Sequence, residues 1–461
     1  MDFSAANQVL WRGILQFGVL AGIMLFANAL RRKIPFVRKS LMPTAVLAGF
    51  IGLIIRVTGL LSLDGALMEM ITYHTIAIGF IALSLQIPEK NGELEKGNFT
   101  AAKSGALIVS TYLLQGIVGL AVSIGLAYTV MPDLFKAAGI LLPMGYGQGP
   151  GQANNVGSTY EGLGFVGGQS FGLSIAAMGF LVACIVGVIY LNVLKRRGKI
   201  KGGEAEYVSG SVTLSHFQSK NEIPISESVD RFSVQFALVL IIYLATYLVS
   251  LGLTSFIATY LPGLGQTVTS LVWGFNFIIG ALLAIICRNI FTVLTRARVM
   301  TRQYPNNYLL GRIAGTAFDF MVLAGIAAIN MEDLSGLWLP FILMAVLGGV
   351  VTFIYLEWLC RKIYPGYVYE GMLSMFGMLT GTISSGVLLL REVDPEFKTP
   401  AANNLLTGSS FAIVLGAPML LLIGLAPESD AMLFAVVGIM ALYLALLLFF
   451  MLKAKRREKA S

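Results

Sequence analysis

The stretch GYGQGPGQANN at residues 145–155 interrupts an otherwise apolar sequence, and GMLTGTISSG at residues 377–386 does the same further along the chain. Each stretch is preceded and followed by hydrophobic sequence. Glycine-rich, irregular backbone is tolerated at membrane depth only where protein surrounds it or where it lines a wet cavity. Broken segments at matching positions in two halves of a chain indicate the binding site of a secondary transporter.

The composition places the rest of the chain in a lipid bilayer. Of the 461 residues, 56% are apolar and 12% are charged, and the mean hydropathy is +0.80. Soluble domains carry about 25% charged residues, and apolar runs of about 18 or more residues are long enough to cross a bilayer as helices. We therefore predict an all-α polytopic membrane protein with about eleven spans. The predicted spans are 10–30, 40–61, 70–87, 101–130, 166–195, 232–253, 266–287, 309–330, 336–360, 404–426 and 431–452.

The residue content argues against an enzyme and against nucleic-acid binding. The net charge is +8, but the basic residues cluster in short loops between the apolar runs, which is a topology signal. Cys184, Cys287 and Cys360 are far apart, and His74 and His216 are the only histidines. We therefore predict no cofactor, no metal beyond a coupling sodium ion, and no nucleic-acid partner.

The loop charges predict the orientation of the chain. Basic clusters follow the first, fifth, seventh, ninth and eleventh spans, at 31–39, 195–201, 288–302, 361–362 and 453–459. The opposite loops are mainly acidic or uncharged. Because positive charge marks cytoplasmic loops, we expect the N-terminus outside and the C-terminus inside, with the polar linker 196–231 in the cytoplasm.

The two halves resemble each other. Gly145 and Gly149 match Gly377 and Gly381 at an offset of 232, and GQSF at 168–171 matches GSSF at an offset of 240. These matches keep their order and define a unit of five spans with a hairpin between its fourth and fifth. Since five is odd, the second copy enters the membrane from the opposite side, which predicts two inverted repeats.

The predicted organisation has four segments. They are a first repeat at 1–195 with a re-entrant hairpin at 134–160, the linker 196–231, a second repeat at 232–426 with a re-entrant hairpin at 366–400, and an extra C-terminal helix with a basic tail at 427–461.

The hairpin tips are the predicted binding site. Half-helix N-termini can hold a carboxylate, and freed carbonyls and hydroxyls can hold sodium. The alternative is a set of glycines that serve only helix packing, although packing does not require so many amides and hydroxyls. The predicted substrate-binding residues of the tips are Gly147, Gln148, Gly149, Gln152, Asn154, Thr380, Gly381, Thr382, Ser384 and Ser385, and the predicted sodium ligands there are Asn155 and Ser384.

Two charged residues outside the tips are further candidates. Asp319 is a carboxylate near the middle of a predicted span, where a charge costs about 2.5–3.5 kcal/mol, so we expect it to bind sodium or exchange a proton. A structural pair with Arg312 is the alternative. Arg391 can clamp a substrate carboxylate or serve as an anchor paired with Glu392 or Asp394.

The chain resembles the bacterial sodium/glutamate symporter family. The resemblance rests on GYGQGPGQA at 145–153, the 166–180 stretch with GQSFG, GMLTGT at 377–382, and the pair Phe318-Asp319. It covers about residues 10–426, and the glycine-rich tips are shared in outline with citrate-type carboxylate symporters. The resemblance implies two inverted five-span repeats, sodium-coupled uptake of glutamate, a homodimer, and substrate and sodium near the two tips.

These observations together predict sodium-coupled symport of glutamate or a related small carboxylate or amino acid across the bacterial cytoplasmic (inner) membrane. A proton-coupled carboxylate transporter is the nearest variant. A channel, or a non-transporting membrane sensor or scaffold on the same fold, remains open at this point, because a fold alone does not establish a function.

Overall fold

The computed structural model describes residues 7–87, 100–200, 228–260, 269, 272–300, 304–395 and 398–453. Most of the predicted linker 196–231 lies outside these residues, as does the tail beyond residue 453. The first helices are α1 (Gln8–Lys33), α2 (Pro35–Lys39), α3 (Thr44–Val57), α4 (Gly65–Leu85), α5 (Thr100–Ala127), a 3-10 helix (Lys136–Ile140), α6 (Leu141–Tyr146), α7 (Pro150–Gly162) and α8 (Gly168–Arg196). The remaining helices are α9 (Ser228–Tyr260), α10 (Asn276–Arg296), α11 (Asn307–Ala328), α12 (Trp338–Ile363), α13 (Val368–Thr380), α14 (Ile383–Arg391), α15 (Ala401–Leu425) and α16 (Asp430–Lys453).

The described residues form a multi-pass, all-helical membrane protein, as the composition predicts. Within the described part of the chain, nine helices are long and apolar enough to cross a bilayer, and α15, bent by 42° near residue 410, makes a tenth if its two parts form one span. Helices are expected here because lipid offers no partner for backbone polar groups. The predicted span 40–61 corresponds to α3, whose 14 residues extend about 21 Å.

The helical residues at the predicted span 266–287 include 269 and 272–274 and extend beyond its predicted end. Helix α10 begins at Asn276 and continues to Arg296, so Arg288 lies within the helix rather than in a loop. Its Nη1 donates to the carbonyls of Ser84 and Gln86 at 3.3 and 3.0 Å. These carbonyls lie at the C-terminus of α4, where an arginine satisfies groups that have no intrahelical partner. Sequence hydropathy alone carries no signal of that pairing.

The helices divide into two compact units. The first draws on the described parts of Met1–Glu69, Glu95–Glu204 and Val322–Ser461, and the second on those of Met70–Leu94 and Ala205–Met321. Each unit therefore takes helices from both halves of the sequence, and both predicted hairpins belong to the first unit.

Helix α5 organises the first unit through buried polar side chains. Ser123 Oγ donates to the Lys136 carbonyl at 2.7 Å and accepts from Gly139 N at 3.2 Å, which fixes the start of the first hairpin. Two turns earlier, Gln115 Nε2 donates to Thr352 Oγ1 on α12 and to the Leu379 carbonyl on α13, both at 2.9 Å. One helix thus positions parts of both hairpins.

Helix α6 runs in the same direction as α8. Gly172 of α8 lies beside Leu141, and one turn further along both helices Gly145 lies beside Ala176. The close approach requires glycine, because a Cβ on Gly145 would come within 2.8 Å of the Ala176 nitrogen. The start and end of α6 therefore follow α8 in register.

Helix α7 runs the opposite way. Ala153 lies beside Gly172 and, one turn later, Gly157 lies beside Gly168. Because α6 is parallel to α8 and α7 is antiparallel to it, the chain reverses between α6 and α7. The reversal is at residues 147–149, so the segment 134–160, predicted as a re-entrant hairpin, contains a helical hairpin with the 3-10 helix at its base.

The chain also reverses between α13 and α14. Gly377 lies beside Ser385 and Gly386, and Gly386 also lies beside Ser374. In a continuous helix residues 377 and 386 would be about 13 Å apart, so this proximity requires a turn. The turn consists of Gly381 and Thr382, within the hairpin predicted at 366–400.

The second unit has its own apolar core, formed where α4, α9, α10 and α11 pack together. Its buried residues are Ile81, Ala82, Leu85, Val239, Ile242, Ala284, Leu310, Ile313 and Ala314. Many apolar side chains on the outer faces of these helices remain exposed, among them Ile241 and Leu244 on α9. Exposed apolar faces of this kind suit a lipid environment.

Asp394 closes the loop after the second hairpin and gives a pH-dependent prediction. It accepts hydrogen bonds from Lys398 N, Thr399 N and Thr399 Oγ1 at 2.8, 2.8 and 2.6 Å. Burial alone would raise the pKa of Asp394, but these hydrogen bonds outweigh it and hold the pKa below its ordinary value of 3.8. The stabilisation is therefore full above a pH of about 5 and is lost as the pH falls through 3.8 towards the lowered pKa.

We expect the melting temperature of the purified chain to fall between pH 5 and pH 3 by more than that of Asp394→Asn. The asparagine cannot be protonated in this range, so it removes this carboxylate's part of the pH dependence. Thermal unfolding in detergent, followed by a thiol-reactive dye at the buried cysteines, measures the difference. An equal fall in the melting temperature of the two proteins between pH 5 and pH 3 would contradict this role of the Asp394 carboxylate.

Candidate functional site

The tips of the two hairpins meet within the first unit. A Cβ placed on Gly149 would lie 3.6 Å from Thr382 Cγ2 and 3.8 Å from the Gly381 carbonyl oxygen. We call this contact of Gly149 with Gly381 and Thr382 the tip seam. Gly179 of α8 lies against the Thr380 carbonyl and so supports the seam from the side.

Two helices begin at the tip seam. Gly149 is the N-cap of α7 and Thr382 is the N-cap of α14, and neither residue makes a side-chain cap hydrogen bond. Gly149 has φ +85° and ψ −177°, a conformation that is essentially restricted to glycine. Pro150 then starts α7 with the preset φ that suits a first helical position. The positive ends of two helix dipoles therefore lie at one place, an arrangement that favours an anion.

Several buried polar atoms near the tips have no hydrogen-bond partner in the described part of the chain. They are Gln152 Oε1, Asn155 Oδ1 and Nδ2, Ser385 Oγ and Gln115 Oε1. These side chains are at most 3% exposed. Unpaired buried polar atoms each cost about 1–3 kcal/mol, so these four side chains are candidates for binding a polar ligand.

Gln115 is a candidate site residue that the sequence interpretation missed. Its amide nitrogen is taken by Thr352 and by the Leu379 carbonyl, and its oxygen remains free near the second tip. The available signal was a lone amide in the apolar run of α5. A polar side chain at that depth is a functional candidate by default.

No family model and no curated protein matches this chain. The interpretation of the site therefore depends on its geometry and on the chemistry of its residues.

The other predicted tip residues differ in how available they are. Asn154 Oδ1 accepts from Gln169 Nε2 of α8 at 2.8 Å, and Thr380 Oγ1 donates to the Phe376 carbonyl at 2.7 Å, so both groups are already used. Gln148 and Thr382 are half-buried beside the seam, and Ser384 is exposed. Of the predicted tip residues, Gln152, Asn155 and Ser385 thus have buried polar atoms without a partner, and Gln115 is an addition to the predicted set.

The structure does not bring Arg391 to the tips. It is the last residue of α14 and is exposed, about 12 Å along the helix axis from Ile383. The two acidic residues expected to pair with Arg391 have other partners. Glu392 Oε2 lies 3.9 Å from Lys195 Nζ, and Asp394 accepts the hydrogen bonds of the loop described above. An arginine at the base of the hairpin does not clamp a substrate at its tip in this conformation.

Asp319 lies on α11 in the second unit and is exposed. Among the described residues it forms no hydrogen bond or ion pair. The alternative pairing with Arg312 is absent, because the Arg312 guanidinium stacks over the Tyr308 ring at 5.1 Å. Asp319 is thus a free carboxylate on a membrane-length helix.

The tips carry no formal charge of their own. Neither 145–155 nor 377–386 contains an acidic or basic residue. What the site offers is therefore neutral: amide and hydroxyl groups, freed carbonyls, and two helix N-termini. Such a set can hold an anion and a hard cation together, because each then compensates the charge of the other.

Proposed function

We propose that this protein is a sodium-coupled symporter for glutamate or a related small carboxylate or amino acid in the bacterial inner membrane. The observation that carries the proposal is the tip seam, with its two helix N-termini and its partnerless buried polar atoms. Discontinuous helices that meet at their broken ends are the recurring device of secondary transporters. Stability gives no reason to keep buried amides unpaired, whereas ligand binding does.

In this proposal the substrate carboxylate occupies the N-terminal ends of α7 and α14. The Ser385 hydroxyl donates to this carboxylate. Gln115, Gln152 and Asn155 contribute amide oxygen atoms to the sodium ion. Sodium is a hard cation that is held by carbonyl, hydroxyl and amide oxygens. The Gly381 carbonyl at the seam is a further oxygen of this type. Binding the two ions together avoids burying either charge alone.

The matching glycines support an internal repeat. The offset of 232 that aligns the two tips in sequence pairs Gly149 with Gly381, and both lie in chain reversals. We propose that the repeats are inverted, that the hairpins are re-entrant, and that the N-terminus is outside with the C-terminus in the cytoplasm. Transport then requires an elevator-like or rocking motion of the hairpin-bearing regions. Assembly as a homodimer stays a prediction.

Uptake by proteoliposomes tests the proposed function. Purified protein is reconstituted and given an inward sodium, proton or potassium gradient, with labelled glutamate, aspartate or a dicarboxylate outside. We expect one of these substrates to accumulate fastest with sodium. Accumulation driven by the proton gradient alone would mean that the protein is a proton-coupled transporter and not a sodium-coupled one. Binding without flux in sealed vesicles would make the protein a sensor, and ohmic single-channel currents would make it a channel.

Asp319→Asn gives a separate prediction about ion coupling. The side chain keeps its size and loses its charge, and there is no ion pair to break, so we expect normal folding. If Asp319 binds sodium, the sodium concentration that gives half-maximal uptake will rise about tenfold, the value of one lost charge interaction of about 1.4 kcal/mol. If Asp319 exchanges a proton, the change of uptake with pH will shrink by a similar factor. Arg312→Gln on the same helix is the control. Unchanged ion dependence in Asp319→Asn would leave this carboxylate outside the coupling mechanism.

A further inference from the structure

The second unit contains a cavity that plays no part in the proposed transport site. Its volume is about 450 Å³, within the range of small-molecule sites. All of its lining residues belong to this unit and come from α4, from α9 and from the chain that enters α10. The α9 side of the cavity lies at mid-helix, because Ser250 and Leu240 are well inside the membrane-length segment Phe232–Tyr260.

Two buried polar atoms on the cavity lining have no partner in the described part of the chain. They are Asn276 Oδ1 and Ser250 Oγ, on side chains that are 4% and 0% exposed. The neighbouring polar groups are already paired. Tyr73 donates its hydroxyl to the Trp273 carbonyl at 2.7 Å, and His74 Nδ1 lies 2.6 Å from the Tyr243 hydroxyl.

Asn276 is the first residue of α10. The preceding residue, Phe275, leaves helical geometry, with φ −108° and ψ 26°, between the lining residues Trp273 and Asn276. An amide oxygen only accepts hydrogen bonds, whereas a serine hydroxyl both donates and accepts. A ligand that satisfies the pair must therefore donate one hydrogen bond and can accept another.

The walls of the cavity are aromatic and uncharged. The ring centroids of Tyr247 and Trp273 are 5.7 Å apart, and those of His74 and Tyr243, which lie edge to face, are 5.9 Å apart. The lining contains no acidic, lysine or arginine side chain. A charged ligand would be desolvated here without a countercharge, which costs several kcal/mol. The lining therefore favours a neutral ligand with an apolar body.

We propose that this cavity binds a neutral amphipathic alcohol dissolved in the bilayer. Its hydroxyl donates to Asn276 Oδ1 and pairs with Ser250 Oγ, while its apolar body packs against the aromatic walls. A hydroxyl is neutral and both donates and accepts hydrogen bonds, so it meets both requirements. The bilayer is the source because the α9 side of the lining lies at mid-helix, where an apolar ligand is already concentrated.

Fluorescence quenching of Trp273 tests the proposal. The full chain, with Trp11, Trp338 and Trp358 changed to phenylalanine, is placed in lipid nanodiscs and titrated with 11-bromoundecan-1-ol. Bromine quenches tryptophan only at short range. We expect saturable quenching by this alcohol and only weak, linear quenching by 1-bromoundecane, which has the same chain without the hydroxyl.

Two variants identify the polar contact. Asn276→Leu and Ser250→Ala are each expected to weaken binding of the alcohol by about five- to tenfold, the value of one hydrogen bond. Thr246→Val is the matched control, because Thr246 lines the same cavity but its hydroxyl already donates to the Ile242 carbonyl at 2.8 Å. Ser250→Ala keeps the test available if Asn276→Leu does not fold.

Three results would overturn the proposal. One is equal, linear quenching by the alcohol and the alkane. A second is saturable binding of the alcohol that neither Asn276→Leu nor Ser250→Ala weakens. The third is tighter binding of (11-bromoundecyl)trimethylammonium than of the alcohol, which would mean that the aromatic walls bind a cation. None of these outcomes depends on whether the protein transports a solute.

Discussion

Asn155→Leu is expected to reduce sodium-driven uptake by about ten- to a hundredfold, which corresponds to one lost hydrogen bond to a charged ligand. Both polar atoms of the Asn155 side chain are buried and have no partner in the described part of the chain. Leucine has a similar size and replaces them with apolar atoms. The free energy of unfolding without ligand should therefore stay the same or rise, because no existing hydrogen bond is lost.

Asn154→Leu is the matched control on the neighbouring residue of α7. Asn154 Oδ1 accepts from Gln169 Nε2 at 2.8 Å. The substitution leaves that donor unpaired, which costs about 1–3 kcal/mol of stability. Thermal unfolding and initial uptake rates, measured on both variants, separate the two roles. If Asn155→Leu is the less stable variant, or transports at the parental rate, Asn155 is a structural residue.

Gly149→Ala is expected to lower uptake by about tenfold or more, because it acts on the tip seam itself. At φ +85° and ψ −177° an alanine is strained by about 1–3 kcal/mol. The added methyl group also occupies the space beside Thr382 Cγ2, at 3.6 Å. The strain is relieved by moving the start of α7, which displaces the helix N-terminus from the anion position.

Gly164→Ala provides the comparison. Gly164 also has a positive φ, +103°, and a Cβ there meets nothing within 4 Å. It lies in the turn after α7, at the opposite end of that helix from Gly149. We expect both alanine variants to lose thermal stability, but only Gly149→Ala to lose uptake. Equal uptake rates for the two variants would show that the conformation of Gly149 does not matter for transport.

The sequence predicts most of the secondary structure because lipid imposes a simple rule. Long apolar runs must form helices, so the bounds of helices such as α5, α8 and α12 lie within a few residues of their predicted spans. Glu357 and Arg361, four residues apart on α12, form the ion pair that this spacing favours on a helix. Local spacing is sufficient for features of this kind.

Features that depend on distant residues could not be predicted in this way. Arg288 was interpreted as a loop charge, because its partners, the carbonyls at the end of α4, are some 200 residues earlier in the chain. Gln115 was passed over for the same reason, since only the packing of α5 against α13 brings it to the second tip. For Arg391 the chemistry was plausible, but the length of α14 keeps it away from the tip.

Cross-linking of the two tips tests the central claim most directly. In a chain whose three cysteines are replaced by alanine, Gln148→Cys and Thr382→Cys are introduced together and treated in membranes with a short thiol-specific cross-linker. We predict efficient cross-linking of this pair. The pair Ser158→Cys and Thr382→Cys should react poorly, because Ser158 is about 12 Å further along α7 than Pro150. Failure of the 148–382 pair to cross-link, with both cysteines freely labelled from water, would contradict the account.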